Sequence, residues 1–384
     1  ESISSIAAIE GIEWIDRMPV FTTFALPMAG EDRQEAATFD VPAYTGYETG
    51  TKLMGFEAAW QRGFTGRGET VAIGDTGVDT GVLGTLHPDL QQVKGGFAVG
   101  TGSRSWEDPQ GHGTHVTGSI VSNGARSGGR IRGGAYEAGF YGVGLWSPLL
   151  NNLVFPNDFT KITGVTYDVG ARVHSNSWGN PRDFGVYDAF ARKADEYLWN
   201  NPEMLILFAA GNSGQDANKD GRIDVGSVTS PATAKNVLTV GASENFLLEG
   251  GIQKKLGELR DGDAKWGVEP LASDRLSDNP QGLAAFGSRG PTRDGRIKPE
   301  IVAPGTNIVS TRSKHPSAQP LWGSYAEDYA YAGGTSMAPP LTAGAATVTR
   351  QYLKQEWRVS NPSGAVVKAL MVHTAFDLFP GQYG

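Results

Sequence analysis

Short apolar runs that end on polar, chemically competent residues set what this chain can fold into. Val71-Ala72-Ile73-Gly74 leads into Asp75, and Met204 to Ala210 leads into Gly211-Asn212. Arg172 to Ser177, Val237 to Gly241 and Asn307 to Thr311 are further strand-like runs, while Tyr187 to Trp199 and Leu341 to Tyr352 carry helical spacing. Apolar strands alternating with helices predict an α/β fold, a parallel β-sheet with helices on both faces. Such sheets gather their ligands at the carboxyl ends of the strands. Asp75 and Asn212 both fall there.

Three segments complete a chemical set. Asp75 comes first, His112 follows in Gly111-His112-Gly113-Thr114-His115, and Ser336 stands in Gly333-Gly334-Thr335-Ser336-Met337-Ala338. A serine hydroxyl is a poor nucleophile at neutral pH until a base takes its proton; imidazole titrates near that pH, and a carboxylate orients the ring. Alone, each motif has a plainer meaning: a capped turn, a solvated loop, a helix cap. Together they read as acid, base and nucleophile. Asn212, at the end of its strand, is placed to donate to an oxyanion alongside the Ser336 backbone N–H. His115 lies one helical turn from His112, but the glutamate of a zinc-binding helix is absent, so it reads as a packing or hydrogen-bonding residue. His87, His174, His315 and His373 read as structural.

In this order the segments resemble the subtilisin-like serine proteases. The likeness extends to His87-Pro88-Asp89-Leu90, Ser175-Asn176-Ser177-Trp178-Gly179, Phe208-Ala209-Ala210-Gly211-Asn212-Ser213-Gly214 and Phe286-Gly287-Ser288-Arg289-Gly290-Pro291. The asparagine-serine-tryptophan form and the long insertions look most like the larger, oxidation-tolerant alkaline protease branch. The resemblance implies a subtilisin-like fold and a secreted serine endopeptidase acting on proteins or peptides. Asp75, His112 and Ser336 would be catalytic and Asn212 the oxyanion residue. Ser177, Trp178 and Gly179, facing Ala210 and Gly211, would bind the residue before the scissile bond, with broad specificity and an apolar or aromatic preference. Trp178 as plain core is the alternative. Gly142-Val143-Gly144-Leu145, the second peptide-binding edge, departs from the family pattern. A scaffold used for processing, ligation or binding is the competing function. An α/β-hydrolase is excluded, because there the nucleophile precedes acid and base.

A second signal is Asp216-Ala217-Asn218-Lys219-Asp220-Gly221-Arg222-Ile223-Asp224. Asp216, Asn218, Asp220 and Asp224 offer alternating oxygens around a glycine turn, the opening of a calcium loop, although the distal glutamate is missing. Structural Ca²⁺ is expected; a polar turn is the alternative.

At the N-terminus, Ile6 to Asp16 resembles the end of a subtilase pro-region. Residues 1–20 are therefore expected to be a remnant of an inhibitory segment, as in a zymogen, with 21–50 an irregular connection and 51–384 the catalytic domain, continuing into further sequence. An ordinary structural extension is the alternative. Between Glu244 and Ala285 charges and glycines dominate, suggesting a solvated insertion. A net charge of −8 argues against nucleic acid or an anionic membrane as partner, and no stretch is apolar for long enough to span a bilayer. Met337, beside the nucleophile, exposes a thioether to oxidation unless the pocket shields it.

Overall fold

Seven parallel strands form the central sheet. In spatial order they are Ile301–Pro304, Leu238–Ser243, Leu205–Ala209, Val173–Asn176, Thr70–Asp75, Gly139–Gly144 and Val93–Ala98. The structure, a computed structural model, describes residues 20–28, 43–156 and 159–378. The expected remnant therefore lies outside the described residues except for Val20, and much of the 21–50 connection lies outside them as well.

Strand Leu205–Ala209 shows why its sequence is uninterruptedly apolar. Successive side chains point to opposite faces, and both faces are covered. Leu205 and Leu207 join a core with Val116 and Ile120 of helix His112–Val121 and Leu341 of helix Ala338–Gln355. Ile206 and Phe208 join another with Ile162 of helix Thr160–Asp168 and Leu198 of helix Ala189–Asn200. Asp188 caps the latter helix, accepting from the Ala191 N–H at 2.9 Å. Helix Phe56–Gln61 begins where the chain turns through Gly55 in a left-handed conformation.

Two expectations fail. Ile308–Thr311 is a strand, but it sits in a separate antiparallel sheet with Tyr329–Ala332 and Ser324–Ala326. Only Gly305, Thr306 and Asn307 separate it from the edge strand Ile301–Pro304, too few for the crossover that a parallel neighbour requires. The Glu244–Ala285 insertion is not merely solvated surface. It buries Leu247, Ile252, Leu256, Leu259, Trp266 and Leu271 in a third apolar cluster with Phe286, Trp322 and Tyr331. Ile252, Leu256, Leu259 and Trp266 recur at helical intervals, yet only a 3₁₀ turn, Leu256–Glu258, and the short helix Gly262–Trp266 form there, so long-range contacts decide their burial. Among the described residues no helix is long and apolar enough to cross a membrane.

Candidate active site

Asp75 ends its strand almost wholly buried, and its Oδ1 lies 2.6 Å from Nδ1 of His112, the first residue of the helix His112–Val121. The Thr76 N–H donates to the same oxygen at 2.8 Å. A carboxylate acceptor fixes the ring proton on Nδ1, which leaves Nε2 as the basic nitrogen. That Nε2 is buried and has no hydrogen-bond partner. It borders the cavity that also holds Ala25 and Leu26.

Asp108 holds this arrangement together. Its buried carboxylate accepts from the Thr76 hydroxyl (2.7 Å), the Gly111 N–H (2.9 Å), and the N–H and hydroxyl of Thr114 (2.7 and 2.6 Å). One side chain thus ties the strand end carrying Asp75 to the first turn carrying His112. Burial pushes the Asp108 carboxyl up from its ordinary value, while the hydrogen bonds from Thr114 and Thr76 pull it back. The sequence reading missed Asp108. An aspartate just ahead of a helix is an N-cap signal that could have found it.

Ser336 lies in a 3₁₀ turn, Thr335–Met337, that runs directly into helix Ala338–Gln355. Its hydroxyl donates to the Ser177 carbonyl at 2.8 Å, and the Ser177 hydroxyl donates back to the Ser336 carbonyl at 2.7 Å. Asn212 is fixed through its oxygen. Oδ1 accepts from both the N–H and the hydroxyl of Thr335 at 2.8 Å, so Nδ2 must face the other way, toward the cleft. Thr335 is a second residue that motif reading overlooked.

The cleft holds the chain's own Val20–Met28. Thr22 and Thr23 pair antiparallel with Gly179 and Trp178, and the Phe24 N–H donates to the Ser177 carbonyl at 3.0 Å. The Phe24 carbonyl oxygen then accepts from Asn212 Nδ2 at 2.7 Å and from the Ser336 N–H at 3.2 Å. Downstream, the Leu26 N–H donates to the Gly333 carbonyl at 2.8 Å, and Trp322 Nε1 donates to the Leu26 carbonyl at 2.7 Å. Gly334, at φ +130°, must lack a side chain, because a Cβ there would strike the Phe24 carbonyl and the Leu26 nitrogen. The segment read as the start of an irregular connection is therefore a strand across the site.

Its side chains fill pockets. A Cβ on Gly179 would come within 2.6 Å of the buried Phe24 ring, so this glycine makes room for it. Phe21 packs edge-on against Phe155, Trp178 and Phe190, with centroids 4.4, 5.3 and 4.8 Å away. Trp178 meets the segment on one side and the core on the other. Its backbone pairs with the segment, while its fully buried indole donates to the Gly74 carbonyl at 2.8 Å and packs on Phe208. Ala210 and Gly211 are bound into the framework behind: the Ala210 N–H donates to the Val240 carbonyl and the Gly211 N–H to the Thr335 hydroxyl. Gly142–Gly144 belong to an interior strand, and the Leu145 N–H donates to the Asp75 carbonyl. On that side Asn152 and Leu153 line the cavity with Thr22 and Thr23.

Two further histidines meet main-chain carbonyls. His115 is buried with Nε2 against the Ile308 and Ala330 carbonyls, and desolvation pushes it down to about 3. His87 Nε2 lies 3.0 Å from the Asp328 carbonyl.

At the acidic loop, Asp216 accepts from the Asp220 and Gly221 N–H groups at 3.0 and 2.9 Å, and Asp224 from the Ala217 N–H at 2.9 Å. Gly221, at φ +81°, makes the sharp turn. The carboxylates of Asp216 and Asp224 thus serve the loop's own N–H groups. Among the described residues, the three acids whose oxygens lie within 4.8 Å of one another are instead Glu244, Asp274 and Asp278. Burial first, and then Asp274, push Glu244 up to about 9.

Residues 66–384 match the model of the Subtilase family. The chain is similar to the serine protease/ABC transporter B family protein tagD of Dictyostelium discoideum, 30% identical over 383 residues, covering 81% of this chain and 20% of that protein. It is similar to serine protease AprX of Bacillus subtilis (strain 168), 32% identical over 303 residues, covering 75% of this chain and 58% of that protein. Minor extracellular protease Vpr of the same organism is 28% identical over 424 residues, covering 85% of this chain and 50% of that protein. The chain thus spans a fifth of tagD and half or somewhat more of the two bacterial proteases.

Proposed function

Because this chain belongs to the subtilase family, we propose that it is a serine endopeptidase whose first substrate is its own Phe24–Ala25 bond. The observation that carries this reading is the Phe24 carbonyl oxygen, held between Asn212 Nδ2 and the Ser336 N–H. Two donors on one carbonyl oxygen are what a tetrahedral oxyanion requires.

In the proposed reaction the Ser336 hydroxyl turns from the Ser177 carbonyl to His112 Nε2, which takes its proton. Oγ attacks the Phe24 carbonyl carbon, and the oxyanion stays on Asn212 and Ser336 N–H. Collapse breaks the bond to Ala25, whose departing nitrogen receives the proton from His112. The resulting Ser336 ester is hydrolysed by water. Until the bond is cut and the segment leaves, Val20–Met28 denies the cleft to other substrates, so residues upstream of Ala25 act as inhibitor and pro-region.

The same pockets set specificity. Main-chain pairing with Trp178 and Gly179 is indifferent to side chains, while the Phe24 and Phe21 pockets favour aromatic or large apolar residues at the cut position and three before it. The extracellular reading draws on Vpr, named as an extracellular protease. Purified protein should yield a fragment beginning at Ala25, and a serine-directed phosphonate should label Ser336. Ser336→Ala should do neither. Cleavage at a different bond, or self-cleavage by Ser336→Ala, would refute the proposal.

Asp216, Asn218, Asp220 and Asp224 are proposed to take Ca²⁺. The turn at Gly221 and the surplus carboxylate lone pairs support this, and the missing distal glutamate makes the binding weak. Ca²⁺ well above its Kd should raise Tm by about 2 °C, and Asp220→Ala should remove that gain. An equal gain in Asp220→Ala would move the ion to another site, such as Glu244, Asp274 and Asp278.

A further inference from the structure

We infer that Trp322 recognises the main chain on the leaving-group side of the cut bond, giving the enzyme a preference for substrates that carry a carbonyl on the second residue past that bond. The inference rests on the reading of Phe24–Ala25 as the bond presented to Ser336. Leu26 is the second residue beyond it. Its N–H goes to the Gly333 carbonyl and its carbonyl receives the Trp322 indole N–H, so one residue is gripped in both directions.

The indole is built to stay in place. Trp322 is 1% exposed and packs in the cluster that also contains Met28, Tyr329 and Tyr331. Its backbone N–H donates to the Tyr331 carbonyl at 3.0 Å, and the Tyr331 N–H donates to the Gly323 carbonyl at 2.9 Å. The strand so gripped, Tyr329–Ala332, leads straight into Gly333 and the turn that carries Ser336. The ring occupies the space that a Cβ on Gly333 would need. The turn that holds Trp322 and the strand Tyr329–Ala332 that it pairs with therefore present together the nucleophile, the acceptor for the Leu26 N–H and the donor for the Leu26 carbonyl.

Upstream of the cut bond, the main chain of Thr22 to Phe24 meets backbone groups of Ser177 and Gly179, beside the amide of Asn212. Downstream, the donor is a side chain in the turn that leads into strand Ser324–Ala326 of the antiparallel sheet. A donor fixed in a buried site discriminates against a ligand that cannot accept from it, because the N–H is then left unpaired. Binding the downstream residues in this way also helps hold the amine of the leaving group in line for its proton. Trp322 is thus a specificity residue rather than a participant in proton transfer.

The test uses two peptides identical up to the second residue past the cut bond, one ending there in a carboxamide and the other in a methyl group with no carbonyl. The wild-type chain, once self-cleaved, should favour the carboxamide about threefold to tenfold in kcat/KM, the worth of one neutral hydrogen bond. Trp322→Phe keeps a ring under Gly333 and removes the N–H, and should bring that ratio close to one. A wild-type ratio near one overturns the inference by itself, even if the variant fails to fold. A variant that loses activity on both peptides while keeping the wild-type ratio makes Trp322 a support for Gly333 and also overturns it. A wild-type protein that cuts neither peptide and takes no phosphonate at Ser336 would instead bring down the endopeptidase reading beneath it.

Discussion

The two halves of Val20–Met28 are held by different means. Val20 to Phe24 lies against the strand Trp178–Gly179, which continues from the central sheet, and its aromatic side chains enter pockets beside that sheet. Ala25 to Met28 is held by Gly333, by the Trp322 indole and by an apolar cluster that the Glu244–Ala285 insertion largely supplies. Under the proposed function, recognition upstream of the cut bond rests on Trp178–Gly179, the short strand into which the chain runs on leaving the parallel sheet at Asn176. Recognition downstream depends on added segments packed around the smaller antiparallel sheet, so it can change without disturbing the chemistry.

Substitutions can separate these halves from the machinery they share. Asn212→Ala strikes the shared oxyanion site, and turnover should fall by about 10²–10³, the cost known for a subtilisin that loses this donor, with little change in KM. A parallel rise in KM would make Asn212 a binding residue instead. Gly179→Val fills the upstream pocket alone: kcat/KM for substrates with phenylalanine at the cut position should drop roughly 10²-fold, and alanine there should suffer far less. Equal losses for both substrates would place the damage in the fold rather than the pocket.

Asp108→Asn loosens the frame beneath both halves. An amide cannot accept with both heads from Thr76, Gly111 and Thr114, so His112 loses its register, and turnover should fall about tenfold for every peptide regardless of its length past the cut bond. A loss confined to one substrate class would refute that shared role. The smallest expected effect is oxidation. Met337 is fully buried in the apolar core that also contains Leu341 and Ile308, so mild peroxide should leave turnover intact, as activity before and after treatment will show.

Much of the fold was legible because its sheet is covered on both faces. Such strands must be apolar throughout, and runs like Met204 to Ala210 announce themselves. The candidate site was legible for a related reason: Asp75 closes a strand, Asn212 follows the end of another by three residues, His112 opens a helix, and Ser336 stands in the turn ahead of one, all positions marked by local composition. Asp108 and Thr335 left fainter marks, since a capping aspartate and a threonine beside a serine are common in any turn.

The sequence by itself determined the parallel sheet, the order of acid, base and nucleophile, and the strand and helix ends from which they act. These follow from periodicity and from residue chemistry over a few neighbours. Tertiary structure alone decided that Val20–Met28 crosses the cleft, that the charged insertion closes a core of its own, and that Trp322 reaches Leu26 from 296 positions away in the chain. None of those contacts has a period or a spacing. They depend on which surfaces meet once the sheet has formed, and the free energy of that meeting is invisible to any local window of sequence.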